Sequence, residues 1–197
     1  MKKAELALIG ISILALIMKM FHLPASGVLT VLSLSSLSVI YMYLGFAIFN
    51  NIQFRKILKK ETYKEISTKR IIGGVGAGLA ISVSVIGVLF KFQSFPGASA
   101  NLIMGIVTLS LVSIISLIKM KKSTDNYYSN IVKRTIIIGA ISIFMLAIPT
   151  KTWLECKYPN NPKYVKAVLE ARSEPGNQEL WNKVDKEREK MYDELNK

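Results

Sequence analysis

From Ala4 to Leu154 the chain is written as long apolar runs separated by short polar or basic stretches. Each run is about 20 residues, which as a helix at about 1.5 Å per residue matches a hydrocarbon core of about 30 Å. The pattern predicts spanning helices over 4–23, 26–49, 71–92, 100–118 and 135–154. Beyond residue 155 the character changes. YPNNPKY, with Pro159 and Pro162, reads as an extended linker. A short helix over 163–172 follows, SEPGN breaks it, and Asn177 caps a last helix over 178–195.

The connections alternate. HLPASG and QSFPGASAN are short, uncharged and suited to tight turns. NIQFRKILKKETYKEISTKR and KMKKSTDNYYSNIVKR are long and basic. Lys and Arg flanking apolar helices are retained on the cytoplasmic side. The N-terminus and both basic connections are therefore expected inside, the hairpin turns outside, and the C-terminus, after five crossings, on the periplasmic face. The opening MKKAELALIGISILALIMKMF reads as a retained span and not a cleaved leader, because Lys19 interrupts its apolar core and no A-x-A site follows.

The expected organisation is an all-α membrane protein of two tandem helical hairpins plus one helix, with an extramembrane helical tail. Residues 1–50 form the first hairpin, 51–70 a basic cytoplasmic loop, and 71–120 the second hairpin. Residues 121–134 form a second basic loop, 135–155 the fifth helix and 156–197 the tail.

Composition agrees: 51% of the 197 residues are hydrophobic and the net charge is +13. No acid occurs over 6–60 or 66–124, whereas the tail mixes both signs. The positive charge thus follows topology and gives no reason to expect a nucleic-acid partner. The expected partners are membrane lipids, other membrane or envelope proteins, and a second copy of the chain. One cysteine, Cys156, excludes an intramolecular disulfide and any cysteine-based metal cluster.

Sliding the chain by 72 positions superposes Lys19 on Lys91 and Pro24 on Pro96, together with Ile9 on Ile81, Ser12 on Ser84 and Leu37 on Leu109. Two copies of one hairpin explain this. Each copy crosses twice, so both face the same way, as parallel repeats.

Lys19 and Lys91 stand about one turn below the hairpin tips. Either their ammonium groups snorkel to lipid phosphate, or they are buried against a partner or a pore wall. His22, Pro24, Pro96 and Gly97 belong to the same tips, and the lone His22 cannot assemble a multi-ligand metal site. Gly74, Gly78 and Ser82 recur every four residues on one helix face, and LSLSSLS places Ser33 and Ser36 on one face of the second helix. These favour close helix packing, with a polar passage as the alternative. Trp181, Val184, Met191 and Leu195 form one stripe on the last helix. That stripe lies on the protein itself or on headgroups, or it docks another subunit. No intramembrane acid, nucleophile–base pair, phosphate loop or cofactor motif appears, so no enzyme activity and no cofactor are expected.

VLFKFQSFPGAS and IMKMFHLPAS resemble the membrane hairpin of the gliding-motility GldL family, whose segment reads as an apolar run, F-K-x-x-H-x-P-G, and a second helix. The resemblance covers residues 1–120 and implies two such hairpins in an envelope complex of the gliding or type 9 secretion kind, in a bacterial inner membrane. The family's second helix carries a glutamate implicated in proton use. Neither second helix here has one, and only the first copy has the histidine, so the resemblance implies the architecture and setting without the motor. The expected function is a non-enzymatic structural or assembly subunit; the alternative is a small transporter or channel with a pore between the hairpins.

Overall fold

The computed structural model describes residues 1–21, 23, 25–122 and 125–195. Among them the regular elements are helices: α1 (Lys2–Met20), α2 (Ser26–Phe49), α3 (Thr68–Gln93), α4 (Ala98–Met120), α5 (Asn126–Ala147), α6 (Thr150–Lys157), α7 (Pro162–Ser173) and α8 (Gln178–Leu195), with two short 3-10 turns between α2 and α3. The chain divides into two compact units, 1–146 and 147–197.

In the first unit, α1 packs on α2, α2 on α3 and α3 on α4. Four helices, α2 to α5, are long and apolar enough to cross a membrane. α1 carries Lys2, Lys3, Glu5 and Lys19 within a similar length, and its charge leaves it outside that set. The outer side of α4 exposes Ile103, Val107, Leu111, Ile114 and Ile118, a face suited to hydrocarbon and not to water.

The segment expected over 135–154 differs in its bounds. α5 begins at Asn126, inside the expected basic loop, because Asp125 Oδ1 accepts the Tyr127 amide at 3.1 Å and caps the helix. It ends at Ala147, since Pro149 has no amide hydrogen and keeps Ile148 out of helical conformation. Residues 150–154 belong instead to α6.

The 72-residue offset is present in the backbone. Leu23 N donates to Met18 O at 3.0 Å, and Phe95 N donates to Phe90 O at 2.8 Å. Each is the wide bond of a helix C-terminal turn, at matching positions. Left-handed residues, Ala25 (φ 61°) and Gly97 (φ 79°), then precede the helix starts at Ser26 and Ala98. Ser12 and Ser84, Thr30 and Leu102, and Leu37 and Leu109 are buried at equivalent places.

The second unit has its own core. Leu154 from α6, Tyr164, Val165 and Val168 from α7, and Val184 and Met191 from α8 are buried together. Asn177 Oδ1 accepts the Glu179 amide at 3.1 Å, capping α8, and the Trp181 indole donates to Pro175 O at 3.0 Å across the SEPGN break.

Candidate functional site

α3 is the helix on which the two copies meet. Its small-residue face, Gly74, Gly78 and Ser82, lies against α2. A Cβ on Gly74 would stand 2.8 Å from Phe46 Cα, and one on Gly45 would stand 2.7 Å from Gly78 Cα. One turn further along, the Ser38 and Ser82 hydroxyls are 2.7 Å apart. Backbones approach this closely only where side chains are absent, and the hydroxyl pair adds a directional bond in an apolar setting. The opposite side of α3 repeats the device. A Cβ on Gly87 would come within 2.9 Å of Leu102 N, and one on Gly105 within 2.8 Å of Ser84 Cα. Gly87 and Leu102 are the images, 72 positions on, of Ala15 and Thr30, and Thr30 Oγ1 donates to Ala15 O at 3.4 Å where α1 crosses α2.

The serines of α2 divide differently from the expected pattern. Ser33 is buried, with its hydroxyl 3.4 Å from Thr30 O, but Ser36 is exposed and takes no part in packing. Ser38 makes the contact with α3. Residues 30, 33 and 37 turn one way while 34, 38, 41 and 45 turn toward α3, and Ser36 falls outside both faces.

At the hairpin tips Lys19 donates to the side-chain carbonyl of Gln93, whose amide nitrogen donates to Gly27 O at 2.8 Å. This network joins the end of α1, the start of α2 and the end of α3, and so ties copy to copy. Lys91 is only 3% exposed. Lys91 is thus buried within the fold, whereas Lys19 is half-buried and held by Gln93. Pro96 and Gly97 form the exposed turn into α4. His22 and Pro24 lie outside the described residues.

At the opposite end stands an ionic cluster that sequence reasoning passed over. Glu5 is 4% exposed. Arg134 of α5 grips it with two bonds, Nε to Oε1 at 2.6 Å and Nη2 to Oε2 at 2.8 Å, and the Tyr41 hydroxyl also donates to Oε1. The guanidinium carbon lies 5.8 Å from the centre of the Phe49 ring. The signal was a lone acid in the first turn of an apolar helix, which calls for a cation from elsewhere in the fold. A second pair joins α3 to the start of α5: Arg70 pairs with Asp125 at 2.5 Å and lies over the Tyr127 ring at 4.5 Å, while the Tyr127 hydroxyl donates to Arg70 O at 2.6 Å. Ser113 Oγ donates to Thr135 Oγ1 at 2.7 Å. Through these contacts α5 reaches α1, α2, α3 and α4.

In the tail, Val184 and Met191 are buried in the α7–α8 core and Trp181 packs beside them. The stripe is thus occupied within its own unit and is not an open docking face; the side chain of Leu195 lies outside the described residues. Lys183 donates to Glu170 at 2.7 Å and holds its carboxyl below the usual carboxylate range, as Lys190 does for Glu187 at 2.6 Å.

Among the described residues, no three His, Cys, Asp or Glu side chains stand together as metal ligands. No protein-family model, curated protein or solved structure matches the chain.

Proposed function

We propose that the chain is a non-enzymatic, multi-pass subunit of a bacterial envelope complex, in which a duplicated hairpin and α5 form a rigid membrane scaffold and α6–α8 form a folded appendage. The observation that carries this reading is the α2–α3 interface. Hydroxyls and glycines that could have lined a passage between the copies are used against one another, at Ser38–Ser82 and Gly45–Gly78. A scaffold needs that closure; a pore between the hairpins needs it to open.

In this reading α1 is the fifth crossing, because its one buried acid is neutralised by Arg134 and its Lys19 is satisfied by Gln93. The basic connections face the cytoplasm of a plasma membrane and the tail faces outward. The hairpin resemblance to the GldL family supports an envelope setting of the gliding or type 9 secretion kind. Gentle affinity purification in mild detergent should recover a stoichiometric membrane or envelope partner. A lone monomer that sustains the chain's cellular role, or solute flux through the purified protein in liposomes, would overturn the proposal.

A further inference from the structure

The connection between α2 and α3 is a built element with an unexplained surface. After Phe49 the chain turns through Asn51 (φ 55°), and Ile52 N donates to Ala47 O at 2.8 Å, which buries Ile52. Two 3-10 turns follow, Phe54–Lys56 and Lys60–Tyr63. The Thr62 hydroxyl donates to Lys56 O at 3.0 Å and the Tyr63 hydroxyl to Ile57 O at 2.5 Å. The Tyr63 ring packs 6.3 Å from the ring of Phe46 in α2. The connection is therefore folded back on the end of a spanning helix.

Two large apolar side chains nonetheless point away from the protein: Phe54 is 69% exposed and Leu58 is 96% exposed. Around them Arg55, Lys56, Lys59, Lys60 and Lys64 are also exposed, with only Glu61 and Glu65 between them and α3. The other acids of this unit, Glu5 and Asp125, are engaged by Arg134 and Arg70. Apolar side chains among cations, at the ends of two membrane-length helices, suit one environment. Apolar groups enter the acyl boundary there while ammonium groups meet phosphates.

We propose that the 53–66 connection is a lipid-docking element that binds anionic headgroups of the membrane the chain spans, with Phe54 and Leu58 inserted between them. The proposal rests on the spanning reading above, but not on any partner. It is tested on the full chain carrying Cys156→Ser and Leu58→Cys, labelled with an environment-sensitive fluorophore. The labelled chain is placed in nanodiscs of phosphatidylcholine, alone or mixed with phosphatidylglycerol. Asn182→Cys on exposed α8 gives the water-exposed reference.

The expected result is blue-shifted emission quenched by shallow spin-labelled lipid, stronger in the anionic discs and weakened by salt. Changing Lys56, Lys59 and Lys60 to Gln should lower the inserted-to-free ratio about fivefold per lysine. Emission matching the reference would overturn the proposal. So would a blue shift without lipid quenching, which means the label packs on protein, or equal insertion in neutral and anionic discs. A chain that does not enter the discs at all overturns the spanning reading, and this proposal with it.

Discussion

Glu5 and Arg134 are two charges removed from water, and their value lies in being together. Glu5→Gln leaves a guanidinium inside the fold without its counter-charge, and Arg134→Met leaves the carboxylate. Each single change should cost about 3–5 kcal/mol, read as a lowered thermal midpoint in detergent, and the double variant should recover much of the loss. A loss in the double variant equal to the sum of the two single losses would show that the two side chains do not act as a pair. The sequence shows Glu5 plainly, but its partner is 129 positions away, and one sequence contains nothing that joins them. Lys19 and Lys91 are a similar case: their repeat is legible, whereas Gln93, which holds Lys19, has no counterpart in the pattern. In the tail, Glu170 is held below the ordinary carboxylate range by Lys183. A depressed carboxyl stabilises the fold at pH values above its unfolded value and ceases to do so as pH falls through its folded value. Tail unfolding followed by tryptophan fluorescence should therefore move to lower temperature on acidification through that window, less steeply in Glu170→Gln.

Among the elements, the helix faces were easier to read than the helix ends. The four-residue rhythm of Gly74, Gly78 and Ser82 marks a contact surface because a backbone can approach only where Cβ is missing. Gly78→Val should separate α2 from α3, since a side chain there meets the carbonyl oxygen of Tyr41. The expected loss is about 3 kcal/mol, measured as faster proteolysis between the hairpins. Gly76→Val is the control, because nothing lies within 4 Å of its Cβ position. Boundaries depended on local chemistry that hydropathy does not weigh. Asp125 starts α5 early through a cap, and Pro149 ends it seven residues short of the expected bound. α6 is hard to read because Trp153 and Leu154 resume apolar character after Pro149 and Lys151, and Ser36 shares the spacing of Ser33 but not its burial. The stripe of α8 was visible, but its occupant could not be: Val184 and Met191 meet α7 through a tertiary contact that periodicity leaves open.

At the scale of the whole molecule, the distribution of basic residues can be tested directly. Fourteen basic residues (Lys2, Lys3, seven over 55–70 and five over 119–134) are expected on one side of the proposed membrane, and the hairpin turns carry none. With the five crossings proposed, Cys156, the single cysteine and an exposed one, would lie on the other side. A membrane-impermeant maleimide should label it in spheroplasts. Labelling that requires inverted vesicles would mean that α5 does not cross, because the basic connections fix the sidedness of the helices before it whether or not α1 spans. The packing order α1, α2, α3, α4 also gives the α2–α3 contact a meaning beyond rigidity. It is the seam between two units of common design, closed by glycine and serine without using the covalent connection that spans it. A chain nicked between Ile57 and Glu65 would keep that seam, so its halves have the makings of two subunits that recognise each other. Fusion of two such genes would then have fixed a stoichiometry that the helix faces already specified.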